Sequence, residues 1–198
     1  ALSTTRVMAT CATMGQAIGT AVAVCLKDGI SPRQLANDKP KLKQYQQLLL
    51  RQDQAILKVK NEDSLDLAKQ AKVVASSEIS GFEAKKIIDG YNRDVQDGDS
   101  HQWRANLGSG EQFIELTWSK PQKMTTIEFT FDSGLNRHLR LSGENSTMKN
   151  QKRGPQPEML KEYQVEIYNG SSLVKKEEVS DNILRKVVHT FEELNADR

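Results

Sequence analysis

The first long segment of the chain, residues 6–27, reads RVMATCATMGQAIGTAVAVCLK and carries a charge at each end but none between. Apolar and sulfur-containing residues recur every three or four positions, and this spacing predicts an α-helix. A second face carries the small residues Ala12, Gly15, Gly19 and Ala23, which allow another backbone to approach closely. A helix that is apolar on all sides in a soluble protein must be buried on all sides. The pattern therefore predicts a helix that is enclosed by other polypeptide.

A membrane span is the alternative for this segment, because its length and its G-x-x-x-G spacing fit one. Thr10, Thr13, Gln16 and Thr20 nevertheless spread polar groups around the cylinder, and large aliphatic residues are few. We therefore favour a buried helix and expect no membrane span.

The residues that follow predict two more helices and no sheet to cover the first. Gly29 is a helix-ending residue, Ser31-Pro32 is typical of an N-cap followed by a first turn, and Pro40 opens a third helix. The polypeptide that encloses the first helix is therefore expected to lie upstream of Ala1.

From about Val73 the pattern changes to short β-rich runs separated by Gly, Pro, Asn and Asp, as in an antiparallel sandwich. One short helix over residues 81–88, closed by Asp89-Gly90, interrupts them. The sequence predicts an α+β protein, with helices over residues 1–66 and an antiparallel β-sandwich over 67–198. Strands are predicted near residues 72–78, 113–118, 125–131, 162–168, 172–179 and 184–191.

Charge and cysteine content exclude some functions. The chain has 28 Lys and Arg against 26 Asp and Glu, for a formal net charge of +2, so no long-range field favours nucleic acid. On one helix Cys11 and Cys25 would lie about 21 Å apart, whereas a disulfide needs Cα atoms within about 7 Å. We expect free thiols and no nucleic-acid partner.

Residues 4–35, TTRVMATCATMGQAIGTAVAVCLKDGISPRQL, resemble the last FAD-contacting segment of a mostly bacterial family of FAD-dependent oxidoreductases, some labelled xanthan lyases. LKQYQQLLLRQDQAIL and DSLDLAKQAKVVASSEISG are similar to the same family's helical linker and the start of its C-terminal module. In such flavoproteins the N-terminus of this helix points at the flavin, where free N–H groups stabilise negative charge on the reduced ring. The resemblance implies four cofactor-side residues, Arg6, Met8, Gly15 and Gln16. The alternative is that the glycines serve only helix packing.

The resemblance also implies a larger parent protein that binds FAD and is periplasmic or secreted. No G-x-G-x-x-G follows a strand in these 198 residues, so the motif that holds the pyrophosphate of FAD is absent. We expect this fragment to bind no FAD and to be inactive alone, with the remainder of the flavoprotein chain as its partner.

A second resemblance covers the start of the predicted sandwich. The order ASSE, AKKIIDGY, HQWRA, FIELTWSKPQKMTTIEFTF resembles discoidin-like modules, the coagulation factor 5/8 type C group of the galactose-binding-like jelly rolls. Asp89-Gly90, Trp103, Ile114-Glu115-Leu116 and Lys120-Pro121 stand at that group's motif positions. Such modules are usually noncatalytic and bind glycans or protein surfaces through loops. They also usually add a strand beyond those present here, so the sandwich is expected to lack its last strand.

Within the sandwich the candidate ligand residues are weak. Trp103 and Trp118 are expected to be structural, which leaves Tyr91 as the better sugar platform. The acidic turn lacks EF-hand spacing, so we expect it to be solvated and not to bind calcium. The turn carries Asp89, Asn92, Asp94, Asp97 and Asp99.

No residue is nominated as catalytic or metal-binding. His101, His138 and His189 lie in separate segments without metal-motif spacing, and no nucleophile elbow, P-loop or C-x-x-C is present. The leading hypothesis is a C-terminal piece of an FAD-dependent oxidoreductase, whose sandwich docks on the enzyme or binds a glycan. The rival is a carbohydrate-binding module of a secreted polysaccharide-degrading protein, with the helices as linker or oligomerisation device.

Overall fold

The computed structural model describes residues 8–94, 100–134, 144–150 and 154–198. The chain forms two compact units, residues 1–115 and residues 116–198. The first unit contains the three N-terminal helices, and the second contains most of the strands. The boundary proposed from the sequence, between residues 66 and 67, stays a prediction.

Three helices begin the described chain, and their caps follow from the sequence. Gln34 N–H donates to Ser31 Oγ at 3.3 Å, while Ser31 N–H donates to Gln34 Oε1 at 2.8 Å, a capping box at the start of the second helix. Asp38 caps the third helix by accepting from Lys41 N–H at 3.1 Å. The helices are α1 (Met8–Asp28), α2 (Pro32–Asn37) and α3 (Lys39–Arg51).

The described strands form three two-stranded sheets, β1 with β2, β3 with β6 and β4 with β5. The β3–β6 and β4–β5 pairs are antiparallel. Helices followed by antiparallel strands are the predicted fold class, which is confirmed. The segment predicted as a helix over residues 81–88 is a shorter 3-10 turn, Ala84–Ile88. The strands are β1 (Lys72–Ala75), β2 (Ile114–Thr117), β3 (Gln122–Thr130), β4 (Tyr163–Asn169), β5 (Ser172–Val179) and β6 (Lys186–Ala196), with a short helix α4 (Asn145–Asn150) between β3 and β4.

An aromatic cluster packs the two strand pairs of the second unit together. Phe129 of β3 meets Tyr163 of β4 edge-on at 5.8 Å and His189 of β6 edge-on at 5.9 Å between ring centroids. Tyr163 Oη and His189 Nε2 lie 3.0 Å apart, within hydrogen-bond distance. Burial raises the pKa of the Tyr163 phenol. His189 and Tyr163 are therefore half-buried residues that join the two strand pairs of this unit.

The last residues of the chain are tied to β4. Tyr168 N–H donates to the Arg198 carbonyl at 2.7 Å, and Asp197 N–H donates to the Tyr168 carbonyl at 3.0 Å. The Arg198 guanidinium lies 4.3 Å from the centroid of the Tyr168 ring. The segment is held by main-chain and side-chain contacts, and the strand implied by the discoidin-like resemblance stays a prediction.

Asn182 is a buried polar residue that holds the turn before β6. Its Nδ2 donates to the carbonyls of Leu160 at 2.8 Å and Leu184 at 3.0 Å. Its Oδ1 accepts from Leu184 N–H at 3.0 Å, and only 8% of the residue is exposed. All of these backbone groups lose a partner if the amide is removed.

We expect Asn182→Ala to lower the free energy of unfolding by about 2 kcal/mol, because buried carbonyls and an N–H are left unpaired. Urea denaturation of the two variants measures the difference. Asn37→Ala, at the exposed end of α2, is the control and should change stability by less than about 0.5 kcal/mol. Equal effects of the two substitutions would contradict the structural role of Asn182.

Candidate functional site

Helix α1 turns large apolar side chains toward solvent. Met8 is 77% exposed, Ile18 64% and Leu26 79%, whereas Cys25 is the buried residue of the helix. Only 6% of the most apolar stretch of α1 is buried. The described part of the chain therefore does not supply the enclosure that the sequence predicts for this helix.

By length and composition, α1 is the one helix of the described residues that could cross a membrane. That test is also passed by apolar helices that pack against protein, so it does not by itself identify a membrane span.

The glycine face of α1 is open. A Cβ atom added at Gly15 or at Gly19 would have no atom of the described residues within 4 Å. Neither glycine is needed for packing inside the described part of unit 1, so the alternative that they serve only such packing has no support there. Ala12 and Ala23, on the same face, are also exposed.

Two polar side chains of α1, Gln16 and Thr20, are hydrogen-bonded to the end of α3. Gln16 Nε2 donates to the Gln52 carbonyl at 3.3 Å, and Thr20 Oγ1 donates to Gln52 Oε1 at 3.0 Å. Tyr45 of α3 donates its hydroxyl to the Ala17 carbonyl at 2.8 Å. An ordinary surface helix buries its apolar face and exposes its polar face. Helix α1 instead leaves Ile18 and Val22 exposed, and Cys25 is its buried residue.

The structure separates the four residues predicted to lie on the cofactor side. Arg6 is outside the described residues. Met8 begins α1 and is exposed, and Gly15 lies on the open face. Gln16 is engaged with Gln52 and Gln54 inside the unit. Their contact with a cofactor stays a prediction.

The start of α1 carries no side chain that would repel an anion. The first turn of the helix contains no acidic residue, so the positive end of the helix dipole is not neutralised by its own turn. An open face at Gly15 leaves room for a flat ring. Met8 and Gly15 fit the predicted FAD contact, whereas the Gln16 side chain would have to leave its present partners.

The other end of α1 is fixed by an ion pair with α3. Lys41 Nζ lies 2.6 Å from Asp28 Oδ2, and this hydrogen bond, with the ammonium charge, lowers the pKa of the Asp28 carboxyl. The same bond raises the pKa of Lys41. Stability from a carboxyl of lowered pKa is present above its unfolded value of 3.8 and is lost as pH falls through the folded value.

The Asp89-Gly90 turn is packed against the chain that follows α3. Gly90 has φ +95°, and a Cβ there would lie 3.3 Å from the Asn61 carbonyl oxygen. Asn61 N–H donates to the Gly90 carbonyl at 2.9 Å. The positive φ and this close approach explain why glycine occupies the turn.

Asp89 organises the residues around this turn. His101 Nδ1 lies 2.7 Å from Asp89 Oδ2, the His101 side chain is 10% exposed, and Tyr91 N–H donates to Asp89 Oδ1 at 3.0 Å. Asp94 accepts from His101 N–H at 2.8 Å. Asp97 and Asp99 of the predicted acidic turn lie outside the described residues, as does His138. The two described aspartates of this turn thus hold the local chain.

Tyr91 is a poor sugar platform in this arrangement. The His101 ring lies 4.3 Å from its centroid, and Lys60 Nζ lies 5.0 Å from it. Trp103 donates its indole N–H to the Ser77 carbonyl at 2.9 Å, as a structural tryptophan would. Among the described residues, no group of three or more His, Cys, Asp or Glu side chains is arranged to hold a metal ion.

Sequence reasoning missed the residues that bind α1 to the rest of unit 1. Gln52 and Gln54 follow the leucine-rich end of α3, and Asp53 between them has φ +65°. The signal available was polar QDQ breaking the apolar pattern of α3. The pairing of Asp89 with His101 was also missed, because it joins residues across a loop.

Two family models match parts of the chain. Residues 1–49 match the model described as FAD dependent oxidoreductase, and residues 66–136 match a domain of unknown function, DUF7402. The first match covers α1, α2 and all but the last two residues of α3. No curated protein matches the chain significantly.

One solved structure similar to the chain is the family 32 CBM from C. perfringens NanJ in complex with galactose. The match has 20% sequence identity and a TM-score of 0.41, and it covers 66% of this chain and 80% of that chain. A likeness of this size does not identify a ligand for this chain.

We expect the Asp28 carboxyl to titrate below 3.8 in the protein and to move upward in Lys41→Met, which removes the donor and the charge. NMR observation of the carboxyl carbon during an acid titration measures both values. Lys39→Met, on an exposed residue of the same helix, should leave the titration unchanged. An identical Asp28 titration in wild type and Lys41→Met would refute the ion pair.

Proposed function

We propose that this chain is the C-terminal part of an FAD-dependent oxidoreductase and that α1 packs against the FAD-binding domain of that enzyme. The single observation that carries the proposal is the open apolar face of α1: Met8, Ile18 and Leu26 are 77%, 64% and 79% exposed, although the helix is bonded to unit 1 through Gln16 and Thr20. The match of residues 1–49 to the FAD dependent oxidoreductase model supports the identity of the covering domain.

The open face fits close contact with another protein. Gly15 and Gly19 form a shallow groove between larger side chains such as Ile18 and Val22, which is the relief that a neighbouring backbone can enter. Burial of exposed apolar area of this kind stabilises a contact by about 25 cal/mol per Å². A helix N-terminus at Met8 would then lie beside the flavin.

When bound, FAD supplies hydride chemistry to the intact enzyme. The residues of this chain would contribute the N–H groups of the first turn of α1 and the open backbone at Gly15. Arg6 and Gln16 remain candidate contacts from the family resemblance. The chain itself would form one wall of the site, and the FAD-binding domain would hold the nucleotide.

The strand-rich remainder is proposed as a docking or glycan-binding module. Within unit 1 the linker after α3 already packs on the Asp89-Gly90 turn through Asn61, which leaves this turn less available to a ligand. The similar CBM structure is in complex with galactose, so galactose is the first sugar to test. A periplasmic or secreted location belongs to the same proposal.

The substitution Gly15→Leu distinguishes a role of this glycine in packing within the chain from a role in packing against a partner. In the isolated chain it should raise the free energy of unfolding by about 0.5–1 kcal/mol, because leucine forms helix better than glycine and nothing nearby is displaced. In the intact flavoprotein it should cut FAD content severalfold, because the groove is filled. Urea denaturation and flavin absorbance per chain measure the two effects.

Ala36→Leu, on the exposed surface of α2, adds the same side chain away from the open face and should leave FAD content unchanged. Unaltered FAD content in Gly15→Leu would argue against the docking surface. An intact protein that never binds FAD would overturn the flavoprotein assignment itself.

The rival, a carbohydrate-binding module of a polysaccharide-degrading protein, predicts a different result for the whole chain. Glycan-array binding by the full chain, together with no flavin in the intact protein, would favour it. Partition of the chain into lipid vesicles through α1 would instead favour a membrane anchor.

A further inference from the structure

Gln54 is a buried amide at the point where α1 meets the end of α3. It is 8% exposed, and its own N–H donates to the Leu49 carbonyl at 3.0 Å. The turn formed by Gln52, Asp53 and Gln54 (the 52–54 turn) directs the Gln54 side chain at α1. The reversal of the chain depends on Asp53, whose φ is +65°.

Both hydrogens of the Gln54 amide are used on α1. Nε2 donates to the Thr13 carbonyl at 3.0 Å and to Gln16 Oε1 at 2.8 Å. A primary amide has two N–H donors, so its donor capacity is filled by one helix. Gln16 returns a bond from its Nε2 to the Gln52 carbonyl at 3.3 Å.

We propose that Gln54 is a positioning residue that fixes the rotation of α1 about its own axis. Apolar contacts are nondirectional, and a helix with apolar or small residues on most sides could pack in several rotations. Hydrogen bonds require defined directions. The bonds to Thr13 and Gln16 select the rotation in which the Gly15 face is open.

The 52–54 turn is itself held by the loop after the Asp89-Gly90 turn. Arg93 Nη2 donates to the Asp53 carbonyl at 3.0 Å, and Asn92 Nδ2 donates to the Leu50 carbonyl at 3.3 Å. The contacts that fix the rotation of α1 therefore include the loop of residues 89–94 as well as α3. Where it concerns the flavin, this inference rests on the proposed function.

The two cysteines of α1 report its rotation, because Cys11 is exposed and Cys25 is 7% exposed. Gln54→Leu keeps a side chain of similar size and removes both donated bonds. We expect the Cys25 thiol to react with a soluble thiol reagent about tenfold faster in this variant, the equivalent of about 1.4 kcal/mol. Cys11 should react at the wild-type rate. Gln44→Leu, on an exposed glutamine of α3, is the matched control.

Gln16→Leu provides a second variant at an exposed position, in case Gln54→Leu does not fold. It removes the acceptor of one Gln54 bond together with the bonds from Gln16 to Gln52, and it leaves the Gln54 bond to the Thr13 carbonyl. Both single variants should accelerate Cys25 labelling, and the double variant should be faster by less than the product of the two effects, because each variant loses the same Gln54–Gln16 bond. Multiplying effects, or an unchanged Cys25 rate in Gln54→Leu, would overturn the positioning role.

In the intact flavoprotein, Gln54→Leu should alter the visible circular dichroism of bound FAD at unchanged thermal stability of the strand-rich unit. A general loss of structure would not give that signature. An unchanged flavin spectrum with faster Cys25 labelling would confine the role of Gln54 to this chain. Absence of FAD from the wild-type protein would refute the proposed function and leave the labelling result standing.

Discussion

The lack of charge along α1 is the constraint on which the rest of unit 1 depends. From Met8 to Leu26 the helix has no ionised side chain, so water solvates its surface poorly. Gln16 and Thr20 are bonded to Gln52 and Gln54, while large apolar side chains such as Ile18 and Leu26 remain exposed. An exposed apolar surface of this continuity marks an interaction site. Under the proposed function, this helix is half of an interface.

Helix α3 and the segment that follows it hold α1 in place. Tyr45, Lys41 and the 52–54 turn contact α1 at separate points along its length. The linker continues to Asn61, which packs directly on Gly90. The Asp89-Gly90 turn is thus held by this linker within unit 1.

Local chemistry makes much of the fold predictable from the sequence. Contacts between residues that are far apart in the chain are not predictable in this way. Ser31-Pro32 and the G-x-x-x-G helix are encoded by neighbouring residues, so caps and periodicity identify them. The strands near residues 172–179 were predicted with the bounds of β5. Gln54 and the Asp89–His101 pair depend on how distant segments meet, which residue spacing does not contain. The openness of the Gly15 face likewise required the structure.

Methionine oxidation tests the central claim most directly, since Met8 and Met14 both lie exposed on α1. Hydroxyl-radical footprinting with mass spectrometry would compare their oxidation rates in this chain and in the intact flavoprotein proposed as its parent, with half-buried Met124 of β3 as internal reference. The account predicts severalfold protection of Met8 and Met14 in the intact protein at a constant Met124 rate. Equal oxidation of the α1 methionines in both proteins would contradict it.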